Sequence, residues 1–365
     1  MSKLSKSSLR VGRLAVVTGN WVLPQYAHRF SPHTYTQPQL FACLVLKVFF
    51  KMDYRGFAIH LGEHSDLRVV LGLKQVPHFT TLHKASQRLL RVPYARALFR
   101  NTVRRFLRRR RRLHRAAFDS TGLECGARSQ YYVRRRAAGS KKWQTVGYSR
   151  YAKLEAAFDC DSHLLLGVLV GRGPSVDVDR FVPLLNTTLD QVRLDIAVAD
   201  AGFDSEANHR YAREQCGVRS YIPATIGRPT DKPPSGYYRR QMKQRLTKDY
   251  GGYGQRWQAE TGFSMLKRRL ADTVHGRSYW SQCRELLLLA ITYNIMLLHA
   301  AETFLQSKPD PFVLRKKPNL TPLFFPWRTF PASMSWRRTG LISSSPVTSS
   351  RSYRTPSSSA ARSRG

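Results

Sequence analysis

Two short apolar segments of this chain each carry one aspartate, and they restrict its fold more than any other feature. Asp119 lies within AAFDSTG at residues 116–122, and Asp200 follows the apolar run at 196–199. Short apolar runs bounded by turn residues are typical of buried strands. A carboxylate in such a strand is costly unless a metal ion or hydrogen bonds compensate its charge. The fold must therefore bring these aspartates to a place where their charge has a partner.

The order of patterns around these aspartates predicts the fold class. Strand-like runs occur at 116–122, 154–159, 164–170, 196–199 and 218–222. Helical patterns occur at 179–191, 206–216, 253–270 and 283–303. Three strands, a helix, a strand, a helix, a strand and a long helix make the order of an RNase H-like domain. We therefore predict an α/β fold with an RNase H-like mixed sheet flanked by helices.

The segment 1–113 is predicted to be a helical, basic N-terminal DNA-binding region. Predicted helices are Gln37–Phe50, one capped by Asp53 and running to Leu61, one capped by Ser65 and ending at Gly72, and one capped by Thr80 and running to Arg91. Tyr94–Leu113 places apolar residues on one helical stripe and arginines on the other face. Several short helices with tight turns are compatible with a helix-turn-helix arrangement.

The charge of the chain predicts a polyanionic partner. Lys and Arg number 61 against 23 Asp and Glu, which gives +38. Nucleic acid relieves such self-repulsion and binds through counterion release. A membrane is the rival partner, but no apolar run reaches the roughly 18 residues that a transmembrane helix needs. The longest, 286–298, contains Thr292, Tyr293 and Asn294 and is predicted to be a buried helix. No signal-like segment follows the basic N-terminus, so we expect DNA and no membrane as partner.

The cysteines and the last residues indicate the compartment and the limits of the folded chain. Five scattered cysteines without a CxxC support neither a disulfide framework nor a zinc site. A cytoplasmic, nucleoid-associated location is expected.

The catalytic domain is predicted at 114–304. Residues 305–365 are rich in Ser, Pro and Arg, which predicts a disordered basic tail. The tail is either a DNA-contacting extension or residues translated past an original stop or out of frame.

Four segments resemble the insertion-sequence DDE transposases. YGQRWQAETGFSMLK at 253–267 resembles their Tyr-x2-Arg-x3-Glu-x6-Lys signature, with Tyr253, Arg256, Glu260 and Lys267 in register. AFDSTGL at 117–123 resembles the strand of their first aspartate, and VADAGFDS at 198–205 resembles the motif of their second. VPHFTTLHKASQRL at 76–90 resembles the N-terminal domain often attached to them. The resemblance covers about residues 36–300.

The resemblance implies a reaction and a set of partners. Asp119, Asp200 and Glu260 would be the catalytic residues and would hold two divalent cations, Mg²⁺ or Mn²⁺. Mg²⁺ prefers oxygen ligands, and two ions about 4 Å apart suit in-line phosphoryl displacement. The protein would be a transposase that binds the ends of a mobile element and catalyses strand cleavage and strand transfer. Its partner would be double-stranded DNA, at element ends and target, with a homodimer or larger assembly in the synaptic complex.

The signature segment also predicts DNA contacts. Tyr253, Glu260 and Lys267 are seven residues apart and return to nearly the same face of a helix. The family implies that Arg256 and Lys267 hold DNA phosphates near the cut. The alternative is an exposed helix whose Arg256–Glu260 pair is a surface salt bridge of little value. Trp257 either packs in the core, which its residue type favours, or stacks on an unpaired base, as in hairpin-forming relatives.

Three basic segments, at 108–112, 131–144 and 237–245, are further candidates for DNA binding. The loop at 131–144 mixes aromatic residues with cations, and the segment at 237–245 does the same; the alternative for both is a solvated charged surface. The arginines expected to contact DNA are Arg108, Arg109, Arg110, Arg111, Arg112, Arg134, Arg135 and Arg136.

Other acids compete with the three candidates. Asp159 and Asp161 lie at a turn, where hydrogen bonds to the local backbone are expected. Asp177 and Asp179 precede a helix and are expected to cap it. Asp204 is expected to cap the next helix rather than support a metal site.

Two other functions remain open on the sequence. An RNase H-like nuclease or resolvase would share the metal chemistry without strand transfer. An inactive transposase-derived protein would only occupy DNA, and the presence of Asp119, Asp200 and Glu260 argues against it.

Overall fold

The structure is a computed structural model of the chain. It describes residues 4–108, 110–126, 151–224, 233–248 and 252–298. Several predictions fall outside the described residues, namely those for Arg109, the loop at 131–144 with Arg134, Arg135 and Arg136, and the tail at 305–365.

The N-terminal region is helical, as predicted. Its helices are α1 (Ser8–Val22), α2 (Gln37–Phe49), α3 (Tyr54–Glu63), α4 (Ser65–Leu71), α5 (Phe79–Leu89) and α6 (Val92–Leu107). Asp53 caps α3 by accepting a hydrogen bond from the N–H of Gly56 at 2.9 Å. Gly72 ends α4 with φ of 65°, a left-handed conformation that glycine adopts without strain.

The sequence predictions differ from the structure at three places in this region. α1 was not predicted. The N-cap of α4 is His64 rather than Ser65, and that of α5 is His78 rather than Thr80. The arginine-rich helix predicted to reach Leu113 ends at Leu107, because Arg108 has φ of 53° and the chain then enters a strand.

The described strands form a mixed sheet in the part of the chain that follows the N-terminal helices. They are β1 (Arg112–Cys125), β2 (Tyr151–Asp159), β3 (Leu165–Gly173), β4 (Arg193–Ala199), β5 (Arg219–Tyr221) and β6 (Thr273–Val274). The first five are ordered β3-β2-β1-β4-β5, and β6 pairs with the end of β1. β1, β2 and β3 are antiparallel, whereas β4 is parallel to β1 and β5 to β4. This is the RNase H-like order, so the predicted fold class is confirmed.

Helices cover both faces of the sheet. They are α7 (Phe181–Leu189), α8 (Glu206–Arg210), α9 (Tyr237–Lys248), α10 (Trp257–Arg269) and α11 (Tyr279–Leu297). Short 3-10 turns precede α7 and α10, at Val178–Arg180 and Tyr253–Arg256, and another follows Asp200, at Ala201–Phe203. A single π turn, Tyr211–Gln215, continues α8. α7 packs on β2 and β3, and α10 packs on β1 and β2.

α11 joins the N-terminal helices to the sheet. It is buried along most of its length, as predicted, and packs against α2, α6 and β3. The buried amide of Asn294 accepts a hydrogen bond from the N–H of Leu165 on β3 at 3.1 Å and donates one to the hydroxyl of Thr102 on α6 at 3.1 Å. A buried amide is stable only when its polar atoms are paired, so Asn294 fixes how α6, α11 and β3 meet.

Two further predictions concern single features. Among the described residues, no helix is both long and apolar enough to cross a membrane. The five cysteines are free thiols, in agreement with the absence of a disulfide framework.

Candidate active site

Asp119 lies on β1, next to Asp200, which directly follows the adjacent strand β4. Phe118 on β1 is the last residue paired with β4, opposite Ala199, and each aspartate is the next residue along the chain. Adjacent strands lie about 4.8 Å apart. Two carboxylates far apart in the sequence are thus brought side by side by the parallel pairing of β1 with β4.

Glu260 is carried to the same region by α10. The 3-10 turn that precedes this helix contacts β1 and β4, and Glu260 lies in the first turn of α10. Gly262 faces the ring of Phe158 on β2, where any larger residue would collide. The missing side chain lets α10 approach the sheet closely. This close approach places Glu260 near the strands that bear Asp119 and Asp200.

The three carboxylates act on one another electrostatically. The pKa of Asp119 is raised to about 6, chiefly because burial disfavours its charged form, and Asp200 and Glu260 raise it further. The N–H of Ser120, which donates to Asp119 at 2.8 Å, and the guanidinium of Arg256 oppose this rise. A carboxyl group crowded by like charges is stabilised in its charged form by a cation. Three carboxylates without thiol or imidazole fit a hard divalent cation such as Mg²⁺.

Arg256 supplies positive charge within this group. Its Nη2 lies 2.6 Å from Oε1 of Glu260, whose side chain is 56% exposed. The salt bridge between Arg256 and Glu260, which the sequence analysis gave as the alternative to phosphate binding, is therefore formed. In the part of the chain that the structure describes, the oxygens of Asp119, Asp200 and Glu260 are not all within 4.8 Å of one another. The three carboxylates repel one another and Arg256 attracts Glu260, so their oxygens stay apart.

The other signature residues lie along the same turn and helix. Tyr253 is in the 3-10 turn rather than on α10, so the expected single helical face holds only for Glu260 and Lys267. Burial is the main cause of the raised pKa of Tyr253, and the guanidinium of Arg256 opposes that rise. Lys267 is half-buried. Trp257 is 46% exposed, so its expected core position is wrong.

A polar network behind Asp119 was missed as a functional feature. The hydroxyl of Ser120 donates to Oδ2 of Asp177 at 3.1 Å, and Nζ of the buried Lys153 lies 2.5 Å from its other oxygen. Asp177 makes no side-chain cap, so its predicted capping role is wrong. Asp179, in the following 3-10 turn, is also not its N-cap. Asp177 instead braces the strand that carries Asp119.

A second buried ion pair lies beside this network. Glu155 on β2 is paired in register with Ser120 on β1. Its carboxylate, 1% exposed, accepts hydrogen bonds from Nε and Nη2 of Arg180 at 3.1 and 3.2 Å. The signal in the sequence is the presence of Lys153 and Glu155 within the otherwise apolar run at 151–158, since buried charges require partners.

Asp204 is not the predicted helix cap. Ser205 caps α8 by accepting from the N–H of Ala207, whereas the side chain of Asp204 is fully buried. Asp204 accepts a hydrogen bond from Nε of Arg239 on α9 at 2.9 Å. In the segment at 237–245, Arg239 therefore stabilises the fold by pairing with a buried acid. The carboxylate of Asp204 pulls that arginine inward because a buried charge needs a counter-charge.

The turn acids have different partners. Asp159 accepts hydrogen bonds from the backbone and hydroxyl of Ser162, which confirms the expected local turn bonds. Asp161 is exposed and pairs with Arg110 at 3.5 Å.

The arginine run between α6 and β1 is partly balanced by acids. Arg110 pairs with Asp161, and Nε of Arg112 lies 2.7 Å from Asp195. Arg111 is exposed, and Arg108 is the C-cap of α6. The described arginines of this run lie between the end of α6 and the start of β1, the central strand, rather than on one face of a helix.

The sheet order and the acids on it define an RNase H-like catalytic domain. The family described as Transposase DDE domain matches residues 111–295, about half of the chain, and the chain belongs to this family. It is thus a member of a family of DNA-cleaving enzymes that in general use divalent metal ions. The match spans β1 to α11 and includes Asp119, Asp200 and Glu260.

Comparison with curated proteins and solved structures adds two observations. No curated protein matches the chain. Among solved structures, the chain is similar to one described as a cryo-EM structure of a piggyBac transposase synaptic complex with hairpin DNA. The identity is 10% and the TM-score 0.41, with 85% of this chain and 78% of that chain covered.

Proposed function

We propose that this protein is a transposase that cleaves the DNA strand at the ends of a mobile element and joins it to a target. The observation that carries the proposal is the register of β1 and β4, which makes Asp119 and Asp200 neighbours. Family membership supports the class of reaction. The net charge of +38 supports double-stranded DNA as the partner.

Asp119, Asp200 and Glu260 would hold the divalent cations, Mg²⁺ or Mn²⁺. Burial, with Asp200 and Glu260 adding to it, raises the pKa of Asp119 to about 6, and this supports a cation as the partner of the Asp119 carboxylate. When bound, divalent cations stabilise the charge that develops on the phosphate oxygens during in-line displacement. The position of Ser120, which holds Asp119 through its N–H and Asp177 through its hydroxyl, orients the first carboxylate.

Arg256 and Lys267 would bind the DNA phosphates on either side of the scissile bond. Arg256 already lies among the three carboxylates, and its fork of donors suits a phosphate. If Glu260 held a cation, its carboxylate would pair less strongly with Arg256, and the guanidinium would be available to a phosphate. Tyr253 interacts electrostatically with Arg256. Exposed Trp257, next to Arg256, offers an aromatic surface for an unpaired base.

Joining two element ends requires two active sites in one complex. We therefore propose a homodimer or a larger assembly in the synaptic complex, with element ends and target as its DNA.

The test uses Glu260→Gln in the full chain, with labelled duplexes taken from the DNA on each side of the gene. The amide keeps the shape of the side chain and loses the charge that holds a cation. Cleavage in Mg²⁺ should fall by at least about 100-fold, while DNA affinity stays within about twofold. Glu214→Gln is the matched control, because Arg210–Glu214 is also an exposed i,i+4 pair.

Two outcomes decide the matter. Nicking at the parental rate by Glu260→Gln would remove this residue from the site. Cleavage by the parent without joined products, under conditions where target DNA is present, would identify a nuclease or resolvase and contradict the proposed strand transfer.

A further inference from the structure

Two histidines and a glutamate meet at the corner between α3 and α4. His60 and Glu63 lie in the last turn of α3, and His64 is the residue that ends it. The rings of His60 and His64 are 3.9 Å apart. One ligand atom from each of the three residues lies within 4.8 Å of the others, an arrangement that no other trio of His, Cys, Asp or Glu reaches in the described residues. The cluster belongs to the N-terminal helical region and is separate from the three carboxylates on the sheet.

The hydrogen bonds of the two histidines leave nitrogen lone pairs for a ligand. Nδ1 of His64 is 2.9 Å from the carbonyl oxygen of His60, so Nδ1 carries the proton and Nε2 keeps its lone pair. Metal-binding histidines usually donate their other N–H to a carbonyl or carboxylate in this way. Nε2 of His60 is enclosed and makes no hydrogen bond in the described part of the structure. Burying a polar nitrogen without a hydrogen-bond partner costs free energy, and coordination of a cation by Nε2 of His60 would offset that cost.

The surroundings hold the cluster in place. The ring of Phe50 packs edge-on against His60 at 4.6 Å, which fixes the orientation of that imidazole. Arg68 donates from Nη1 to the carbonyls of Leu61 and Gly62, so its guanidinium stabilises the end of α3. Glu63 and His64 are exposed, so both side chains can adjust.

We propose that His60, Glu63 and His64 form a binding site for a transition-metal ion of the Zn²⁺ type. Two imidazoles and one carboxylate are ligands that Zn²⁺ accepts, with a fourth position left for water. Tetrahedral bonds of about 2 Å place ligand atoms about 3.3 Å apart, so small side-chain rotations close the cluster. The ion would tie the end of α3 to the start of α4, because His64 is shared by both.

The experiment titrates ZnCl₂ into the metal-free full chain by isothermal calorimetry. The variants are His64→Ala and Glu63→Gln, and His33→Ala is the control, an exposed histidine that stacks on Tyr26 away from this corner. We expect His64→Ala to bind one Zn²⁺ fewer than the parent or to bind it at least about tenfold more weakly. Glu63→Gln should weaken the same binding event, and His33→Ala should leave it unchanged.

A spectroscopic measurement separates this site from the cysteines and the catalytic carboxylates. Co²⁺ bound by nitrogen and oxygen in a tetrahedral site gives visible absorption without thiolate charge-transfer bands. We expect that absorption in the parent and its loss in His64→Ala. Equal Zn²⁺ stoichiometry and affinity in the parent, His64→Ala and Glu63→Gln would overturn the proposal, as would a Co²⁺ spectrum unaltered by both changes. Because Glu63→Gln is isosteric and exposed, it provides the result if His64→Ala fails to fold.

Discussion

Arg239 on α9 and Asp204 near the start of α8 form an ion pair in which the carboxylate is fully buried. Nη2 of Arg239 lies 2.7 Å from Oδ2 of Asp204, and the exposures of the two side chains are 18% and 0%. Asp204 is only four residues beyond Asp200, across the 3-10 turn at Ala201–Phe203. The ion pair therefore anchors the backbone that follows the second candidate catalytic aspartate.

Removing Arg239 should destabilise the protein severely. Arg239→Ala leaves the carboxylate of Asp204 buried without its strongest partner, which costs about 3–5 kcal/mol in comparable pairs. The double variant Arg239→Ala/Asp204→Asn should recover part of this loss, because the unpaired charge is removed as well. Urea unfolding measures the difference. Arg240→Ala is the control, since Arg240 is exposed and its Nε donates to the carbonyl of Gly236. A loss no larger in Arg239→Ala than in Arg240→Ala would contradict the anchoring role.

Replacing Asp119 should stabilise the metal-free protein at neutral pH. Burial raises the pKa of Asp119 to about 6 from 3.8. Between these values the folded chain keeps a proton that the unfolded chain releases, so stability falls as the pH rises through this window. Asp119→Asn removes that penalty. We expect a gain of up to about 3 kcal/mol at pH 7.5 and almost none below pH 4.

The measurement for Asp119→Asn is urea unfolding in chelator at several pH values. Asp161→Asn serves as the control, because its side chain is 69% exposed. A stability difference between Asp119→Asn and the parent that is the same at pH 4 and pH 7.5 would show that Asp119 is not strained by burial of its charge.

DNA binding should depend on salt, and the arginines between α6 and β1 should account for part of that dependence. Each neutralised phosphate contributes about 0.9 to the slope of log affinity against log salt. Replacing Arg108 to Arg112 by Gln should flatten the slope by about 2–3 rather than about 4.5, because Arg110 and Arg112 already pair with Asp161 and Asp195. Replacing only Arg110 and Arg112 should change it by less than about 1. Fluorescence anisotropy gives the slopes, and equal slopes for the fivefold variant and the parent would exclude these arginines from the DNA surface.

Trp257 should contribute to DNA binding more than to stability. Its side chain is 46% exposed at the start of α10, next to Arg256. Trp257→Ala should weaken binding of DNA ends with unpaired bases by about 1–3 kcal/mol. The melting temperature should change little. Trp280→Ala, at a tryptophan that is 55% exposed near the start of α11, is the control. A large drop in melting temperature with unchanged affinity would assign Trp257 a packing role instead.

The order of strands and helices, and the three candidate acids, could be predicted from the sequence. Periodicity and capping are local, and they indicated β1 to β5, α2 to α5 and the long buried α11. α9 was not predicted, since the sequence indicated a basic connection at 224–250. Arg239 shows that a distant buried acid holds this helix in place. The end of α6 was missed because the helical pattern of apolar residues continues into β1. Arg112 and Leu113 pair with β4 and therefore belong to the sheet.

The sequence by itself determined which chemistry the chain carries, since isolated carboxylates in apolar strands and a charge of +38 are properties of composition and order. Only the tertiary structure decided which acids share a site and which serve the fold. The pairing of β1 with β4 makes Asp119 and Asp200 neighbours. The contacts of Ser120 with Asp177 and of Arg239 with Asp204 show that two expected helix caps support the fold instead, and the side chain of Asp204 is fully buried. The physical reason is that burial and counter-charge depend on residues far away in the chain, which local patterns do not contain.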